Sequence, residues 1–261
     1  MNAEQKNTAL RFLDLAACYL YDGLKREREG TFNEEPETTP APIDTAPVDN
    51  APISSPQPSA SNTAPDSLEA IAAEIRACKK CRLCEQRKNA APGEGVLQPQ
   101  VLVIGEGPGA DEDAAGRPFV GRAGQLLDKM LASINLSRET NCFIANVVKC
   151  RPPENRDPQN DEMDACIPFL LRQIAILKPR VILCVGRISS QKLLNTETGI
   201  TKLRGKFHQF SFDSSIPPVS PIPLLPTYHP SALLRNEELK RPAWEDLKVL
   251  RSKLAGIDDK D

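Results

Sequence analysis

Two rhythms of apolar residues alternate along the C-terminal three-quarters of the chain. Mainly apolar runs at 101–104, 142–148, 181–185 and 223–227, broken only by Asn146 and ending in Thr227, have the length of buried strands. Stretches with helical spacing separate and follow them, at 121–133, about 158–177, 188–194 and 238–254, the first with Ala123, Leu126, Leu127 and Met130 expected inward. Strands separated by helices predict a three-layer α/β/α domain with a central, mostly parallel four-stranded sheet. Ligands of such a sheet bind beyond the carboxyl ends of its strands.

The N-terminal quarter follows a different pattern. Leu10, Leu13, Ala17, Leu20 and Leu24 recur at helical spacing and predict an amphipathic helix of about five turns within residues 1–30. Its apolar face must be covered, and both its own domain and a partner protein are open to it. Residues 31–70 then hold eight of the 24 prolines and seven acidic residues, with no Lys or Arg. Such a composition buries too little apolar surface to offset its ordering entropy, so 31–66 reads as a disordered acidic linker ahead of a domain at 67–261.

Charge and cysteines sharpen the picture. Setting those seven acidic charges aside turns a net −2 into about +5 for the remainder, which is compatible with nucleic acid without requiring it. No apolar run reaches 18 residues, and Asp14 interrupts the apolar stretch near the start. Neither a membrane span nor a signal peptide is expected, and the expected compartment is the cytoplasm. Eight cysteines in such a chain point to metal or buried thiols rather than disulfides. Cys78, Cys81 and Cys84 form Cys-x-x-Cys-x-x-Cys among Lys and Arg, and Cys150 and Cys166 flank Arg-Pro-Pro-Glu-Asn-Arg. Zinc and iron–sulfur both accept four cysteines at such spacings. Cys18, Cys142 and Cys184 lie inside apolar segments and read as small core residues.

Two stretches directly after strands carry the candidate chemistry. One is Gly-Glu-Gly-Pro-Gly-Ala-Asp-Glu-Asp at 105–113, running into Gly-Arg-Pro-Phe-Val-Gly at 116–121; the other is Tyr-His-Pro-Ser-Ala-Leu-Leu-Arg-Asn at 228–236. Together they supply backbone NH groups, carboxylates, an aromatic face and one of only two histidines. A dinucleotide site fits the glycines loosely, but Pro108 removes a donor and Asp111, Glu112 and Asp113 would repel a pyrophosphate.

With Cys-Lys-Lys-Cys-Arg-Leu, Asn-Val-Val-Lys-Cys-Arg-Pro-Pro-Glu-Asn-Arg and Gly-Arg-Pro-Phe-Val-Gly-Arg-Ala-Gly-Gln-Leu-Leu beside these, five motifs stand in family order. From about Cys78 to the C-terminal helix the chain resembles the family 4 uracil-DNA glycosylases, the cluster-containing branch of the uracil glycosylase superfamily. The resemblance implies a monofunctional repair enzyme, expected as a monomer, that releases uracil from single- or double-stranded DNA and leaves an abasic site. It implies a structural [4Fe-4S] cluster on Cys78, Cys81, Cys150 and Cys166, with Cys84 outside the required set. The cluster would fix Arg82, Lys149, Arg151 and Arg156 near phosphates.

The same resemblance assigns the pocket. Phe119 would stack on a flipped uracil, Asn146 would read its N3–H and O4, and His229 would donate to O2 as charge develops there. Gly107 occupies the position where the best-known branch of the superfamily carries a water-activating Asp. Glu106, Glu112 or Asn146 would orient the water instead, by positioning more than by base strength. Leu233, Leu234 and Arg235 resemble the loop that fills the gap left by the flipped nucleotide. Two other classes share these features. A cluster-bearing DNA-binding module without catalysis is disfavoured by the intact Asn146 and His229. A relative that cross-links to DNA through a histidine on an inserted loop is disfavoured because 117–119 run straight into Gly121-Arg122-Ala123-Gly124.

Overall fold

The computed structural model describes residues 66–211 and 221–258. The expected N-terminal helix, the linker up to residue 65 and Cys18 lie outside the described residues. Helix α1 (Leu68–Ala77) opens on Ser67, whose side chain accepts from the Ala70 N–H at 3.1 Å. It buries Leu68, Ile71 and Ile75, and a short helix α2 (Leu83–Gln86) follows.

Four strands form the predicted parallel core: β2 (Val101–Gly105), β3 (Cys142–Asn146), β4 (Val181–Val185) and β6 (Ile222–Thr227). Every residue of β2, β3 and β4 is buried, as a sheet covered on both faces requires. Two edge strands not visible in the sequence pattern, β1 (Glu94–Gly95) and β5 (His208–Phe210), pair antiparallel with β3 and β6. The sheet order is β1-β3-β2-β4-β6-β5. Segments of two or three residues are too short to show a period, which is why these edges escaped detection.

Side chains alternate along the strands into two apolar layers. One gathers Leu102, Ile104, Phe143, Ala145, Ile182 and Cys184 beneath α1 and α5 (Asn160–Leu177). The other gathers Val101, Val103, Cys142, Ile144, Val181 and Leu183 beneath α4 (Arg122–Ala132) and α9 (Lys240–Asp258). Cys142 and Cys184 are fully buried core thiols, as expected. The remaining helices are α3 (Ala110–Ala115), α6 (Arg187–Leu194), α7 (Ile200–Leu203) and α8 (Pro230–Arg235).

The inward stripe of α4 differs from the expected one. Gly124, Leu127 and Leu131 are buried, while Ala123, Leu126 and Met130 are only partly so. A Cβ on Gly124 would lie 2.0 Å from the Phe119 carbonyl oxygen, so backbone seats on backbone there and rotates the helix by about one position. Among the described residues, no helix is long and apolar enough to cross a membrane.

Candidate active site

Parallel register carries four strand ends to one edge of the sheet. Gly105 is paired with Asn146 and Val185 with Thr227, so Glu106, Asn146, Gly186 and Tyr228-His229 emerge side by side. Val147 and Val148 donate to the Gly105 and Glu106 carbonyls at 3.0 Å each, extending the β2–β3 ladder past the assigned strands. A cavity at this edge is lined by Glu106, Gly107, Phe119, Asn146, His229 and Arg235, among others. The structure thus gathers the expected base-contact residues Gly107, Phe119, Asn146 and His229, separated by up to 122 positions in sequence, into one pocket.

Asn146 is 1% exposed, and its Nδ2 and Oδ1 have no hydrogen-bond partner among the described residues. A buried amide unsatisfied at both ends is costly unless a ligand completes it. Phe119 lies beside it with φ 53, a conformation that bulky side chains rarely adopt. Its ring reaches over Gly105, where a Cβ would stand 2.5 Å from both Phe119 Cζ and Asn146 Oδ1. Only a glycine at the end of β2 lets the ring and the amide meet.

Across the pocket, the His229 ring stands 5.7 Å from that of Phe119, tilted by 34°. The Ser231 N–H donates to His229 Nδ1 at 3.1 Å, so Nδ1 carries the lone pair and the neutral ring bears its proton on Nε2. Nε2 has no partner among the described residues. Burial, reinforced by the Arg235 charge, lowers the imidazole pKa to about 4, so the ring is neutral at physiological pH. The tight turn is fixed by Pro230 at the start of α8.

The two candidate glutamates are not alike. Glu112 Oε1 accepts from the Val120 and Gly121 N–H groups at 2.9 Å each, and Oε2 accepts from Gly109 N–H at 3.1 Å. Its carboxylate therefore ties the two halves of the first motif together. Glu106 makes no such bonds and is only partly buried; burial first, then the Asp157 charge, raises its pKa to about 7 against the opposing pull of Arg187. Arg187 itself pairs with Asp157. A Cβ on Gly107 would meet Val148 Cγ2 at 2.7 Å, so no side chain fits there without displacing Val148.

A profile of the Uracil DNA glycosylase superfamily matches residues 92–248. A type-4 uracil-DNA glycosylase of Sulfurisphaera tokodaii is 45% identical over 190 residues, covering 71% of this chain and 84% of that protein. Another, from Thermotoga maritima, is 40% identical over 193 residues, covering 73% and 96%. The chain belongs to the type-4 uracil-DNA glycosylases.

A second constellation of this type-4 chain lies away from the pocket. Cys78, Cys81, Cys84, Cys150 and Cys166 line one small cavity, with Arg87 and Lys149 in its wall. Three of the thiols accept hydrogen bonds: Cys78 from Lys80 N–H at 3.5 Å, Cys150 from Arg87 Nη1 at 2.9 Å and Cys166 from Lys149 N–H at 3.3 Å. Cys84 accepts none among the described residues. No group of three or more potential ligands is set closely enough for a single metal ion among the described residues.

The basic residues expected near phosphates are largely committed elsewhere. Lys149 is 1% exposed and donates to Gln173 Oε1 at 2.8 Å, which overturns a phosphate contact for it: its backbone follows β3 inward instead of out to the surface. Arg82 and Arg156 both pair with the buried Glu162, whose carboxyl falls to about 2 chiefly through the Arg156 bond. Arg151 holds Asn155 Oδ1 at 2.8 Å. Of the loop beyond His229, Leu233 is buried while Leu234 is 42% exposed and Arg235 is exposed at the pocket rim. Sequence reasoning missed Asp157, Arg187 and Tyr228 as pocket residues; the strand-end rule applied to β4 would have flagged Arg187, one residue past Gly186.

Proposed function

We propose that this pocket receives a uracil flipped out of DNA and that the chain hydrolyses its N-glycosidic bond, releasing the base and leaving an abasic site. The observation that carries this is the buried Asn146 amide with both ends unsatisfied. Its oxygen can accept from uracil N3–H while its NH₂ donates to O4. Cytosine offers a bare N3 and an N4 donor, the reverse pattern, and is refused. Phe119 is given the stacking face, and Gly107 lets the backbone approach the base.

Bond cleavage moves an electron pair onto uracil, and charge accumulates at O2. Nε2–H of neutral His229 is the donor for that oxygen, and a donor fixed beforehand costs no reorganisation as the charge appears. The sugar, left electron-poor, takes its new oxygen from water. Glu106 is the group for orienting that water, since Glu112 is consumed in holding the loop and Gly107 offers no side chain. Leu234 is the residue placed to enter the gap in the stack, Leu233 anchors its helix, and Arg235 stands ready for a phosphate.

The cysteine cavity suits a [4Fe-4S] cluster on Cys78, Cys81, Cys150 and Cys166. Three of these sulfurs, those of Cys78, Cys150 and Cys166, accept an N–H bond, as cluster thiolates commonly do. Lys149, buried with Gln173 as its acceptor, is also served by an anionic group in that cavity. A cluster held there would tie the segment before β1 to the loop after β3, through Cys150, and to α5, through Cys166. The enzyme is given the form of a monomer acting on single- or double-stranded substrate. The work belongs to the cytoplasm, where thiols stay reduced.

The test is incubation of the anaerobically prepared protein with end-labelled oligonucleotides bearing one uracil, thymine or cytosine, followed by hot alkali. Strand scission confined to uracil is the expected result. Intact binding without scission on any strand would instead mean a non-catalytic binding module.

A further inference from the structure

We propose that Arg138 is the positioning residue for Phe119, a role that rests on the stacking function given to that ring above. Arg138 lies between α4 and β3, outside the pocket lining, and its side chain is 6% exposed. Its guanidinium donates from Nη1 to the Pro118 carbonyl at 3.0 Å and from Nη2 to the Phe119 carbonyl at 2.9 Å. Asp128 orients the fork from behind, accepting from Nη2 at 2.7 Å and from Nε at 3.2 Å. Nη1 also lies 3.8 Å from Glu94 Oε1, and Glu94 holds the neighbouring Arg117 in a bidentate pair at 2.6 and 2.7 Å.

Three consecutive residues, Arg117, Pro118 and Phe119, are thus fastened by one network centred on the buried Arg138 guanidinium. The purpose is legible from the backbone. Phe119 sits at φ 53, against the preference of an aromatic residue, and that turn is what swings its ring over Gly105 toward Asn146 and His229. Gly124 presses on the Phe119 backbone from the helix side, where no Cβ would fit. Arg138 takes up the two carbonyls that the turn leaves pointing inward. Without those bonds both the strained φ and the buried carbonyls lose support, and the ring is free to relax off the base position. A lysine cannot substitute, because a single ammonium does not reproduce a planar fork spanning two carbonyls and a carboxylate.

The experiment is a double-mutant cycle read by single-turnover excision, inhibition by free uracil, and affinity for abasic-site DNA. Phe119→Ala is expected to lower kcat/KM by roughly 10- to 100-fold, the value of one base–aromatic stack. Arg138→Lys is expected to cost about tenfold and to weaken free-uracil inhibition in proportion, with abasic-DNA affinity unchanged. Asp128→Asn, at a half-exposed carboxylate, gives a smaller loss of the same kind and carries the test if Arg138→Lys fails to fold. In the Phe119→Ala background both changes should cost less than about twofold, since nothing remains to be positioned. Losses that persist undiminished in that background overturn the role of Arg138 while leaving the stacking role intact. Full activity of Phe119→Ala alone overturns both.

Discussion

Phe119 and His229 face one another across the pocket, ring centroids 5.7 Å apart and tilted by 34°. Asn146 lines the same pocket, and under the proposed function a planar base entering it would meet a stacking face, a reading edge and a proton donor together. Each wall can be tested separately.

His229→Ala should lower single-turnover excision by about 10²–10³-fold, the usual effect of removing one oxyanion donor, without altering abasic-DNA affinity. The imidazole pKa of about 4 lies below the unfolded value of 6.5, so the neutral ring contributes stability that is present above pH 6.5 and lost as pH falls toward 4. Activity should therefore show no protonation step of His229 between pH 5 and 8. An inflection near 6.5 in the wild type that His229→Gln removes would contradict a neutral donor.

Asn146→Ala and Asn146→Asp should each reduce uracil excision by about 100-fold or more, because both lose the donor for O4 in a fully buried setting. Rates on paired uracil and thymine oligonucleotides check this. Undiminished excision by Asn146→Asp would remove Asn146 from base recognition.

Glu106 predicts a pH limb. Its pKa, raised to about 7, makes the carboxylate available only as pH rises through neutrality, so kcat/KM should climb there, and Glu106→Gln should flatten the climb with a loss of about 100-fold at pH 8. The protonated form is favoured on folding, so stability linked to this group is full below pH 4.5 and declines as pH rises through 7. Asp157→Asn removes a raising charge and should move the limb acidward. A limb unchanged in Glu106→Gln would assign it to another group.

The two leucines of α8 should separate stability from function. Leu233→Ala, at a buried site, should cost roughly 2–4 kcal/mol in denaturant unfolding. Leu234→Ala should leave stability unchanged yet slow excision from double-stranded DNA more than from single strands, where no gap needs filling. Equal effects on both substrates would deny the wedge role.

For the cysteine cavity, Cys150→Ser and Cys166→Ser should lose iron and visible absorbance in anaerobic preparations, whereas Cys84→Ser should keep both. Cys84 lines the cavity but accepts no N–H bond among the described residues. Loss of the chromophore in Cys84→Ser would put it among the ligands.

The four parallel strands and helices α4, α5, α6 and α9 were readable from the sequence, because burial on both faces leaves nearly continuous apolar runs and burial on one face leaves a helical period; the short α3 and α7 were not. So was the site's location, since Gly105, Asn146 and His229 all stand at strand ends, where a parallel sheet opens. Side-chain duties were decided only by the tertiary structure. Glu106 and Glu112 are the same residue type six positions apart, and only the fold commits one to three backbone donors and leaves the other partly buried beside Asp157. Lys149 reads as a surface cation until the chain after β3 carries it inward to Gln173. Arg138 has no local pattern at all, because its partners Pro118 and Phe119 are about 20 residues away and meet it only once α4 has packed. Periodicity records which face of an element is dry; it carries no record of which distant carbonyl or carboxylate a side chain will find.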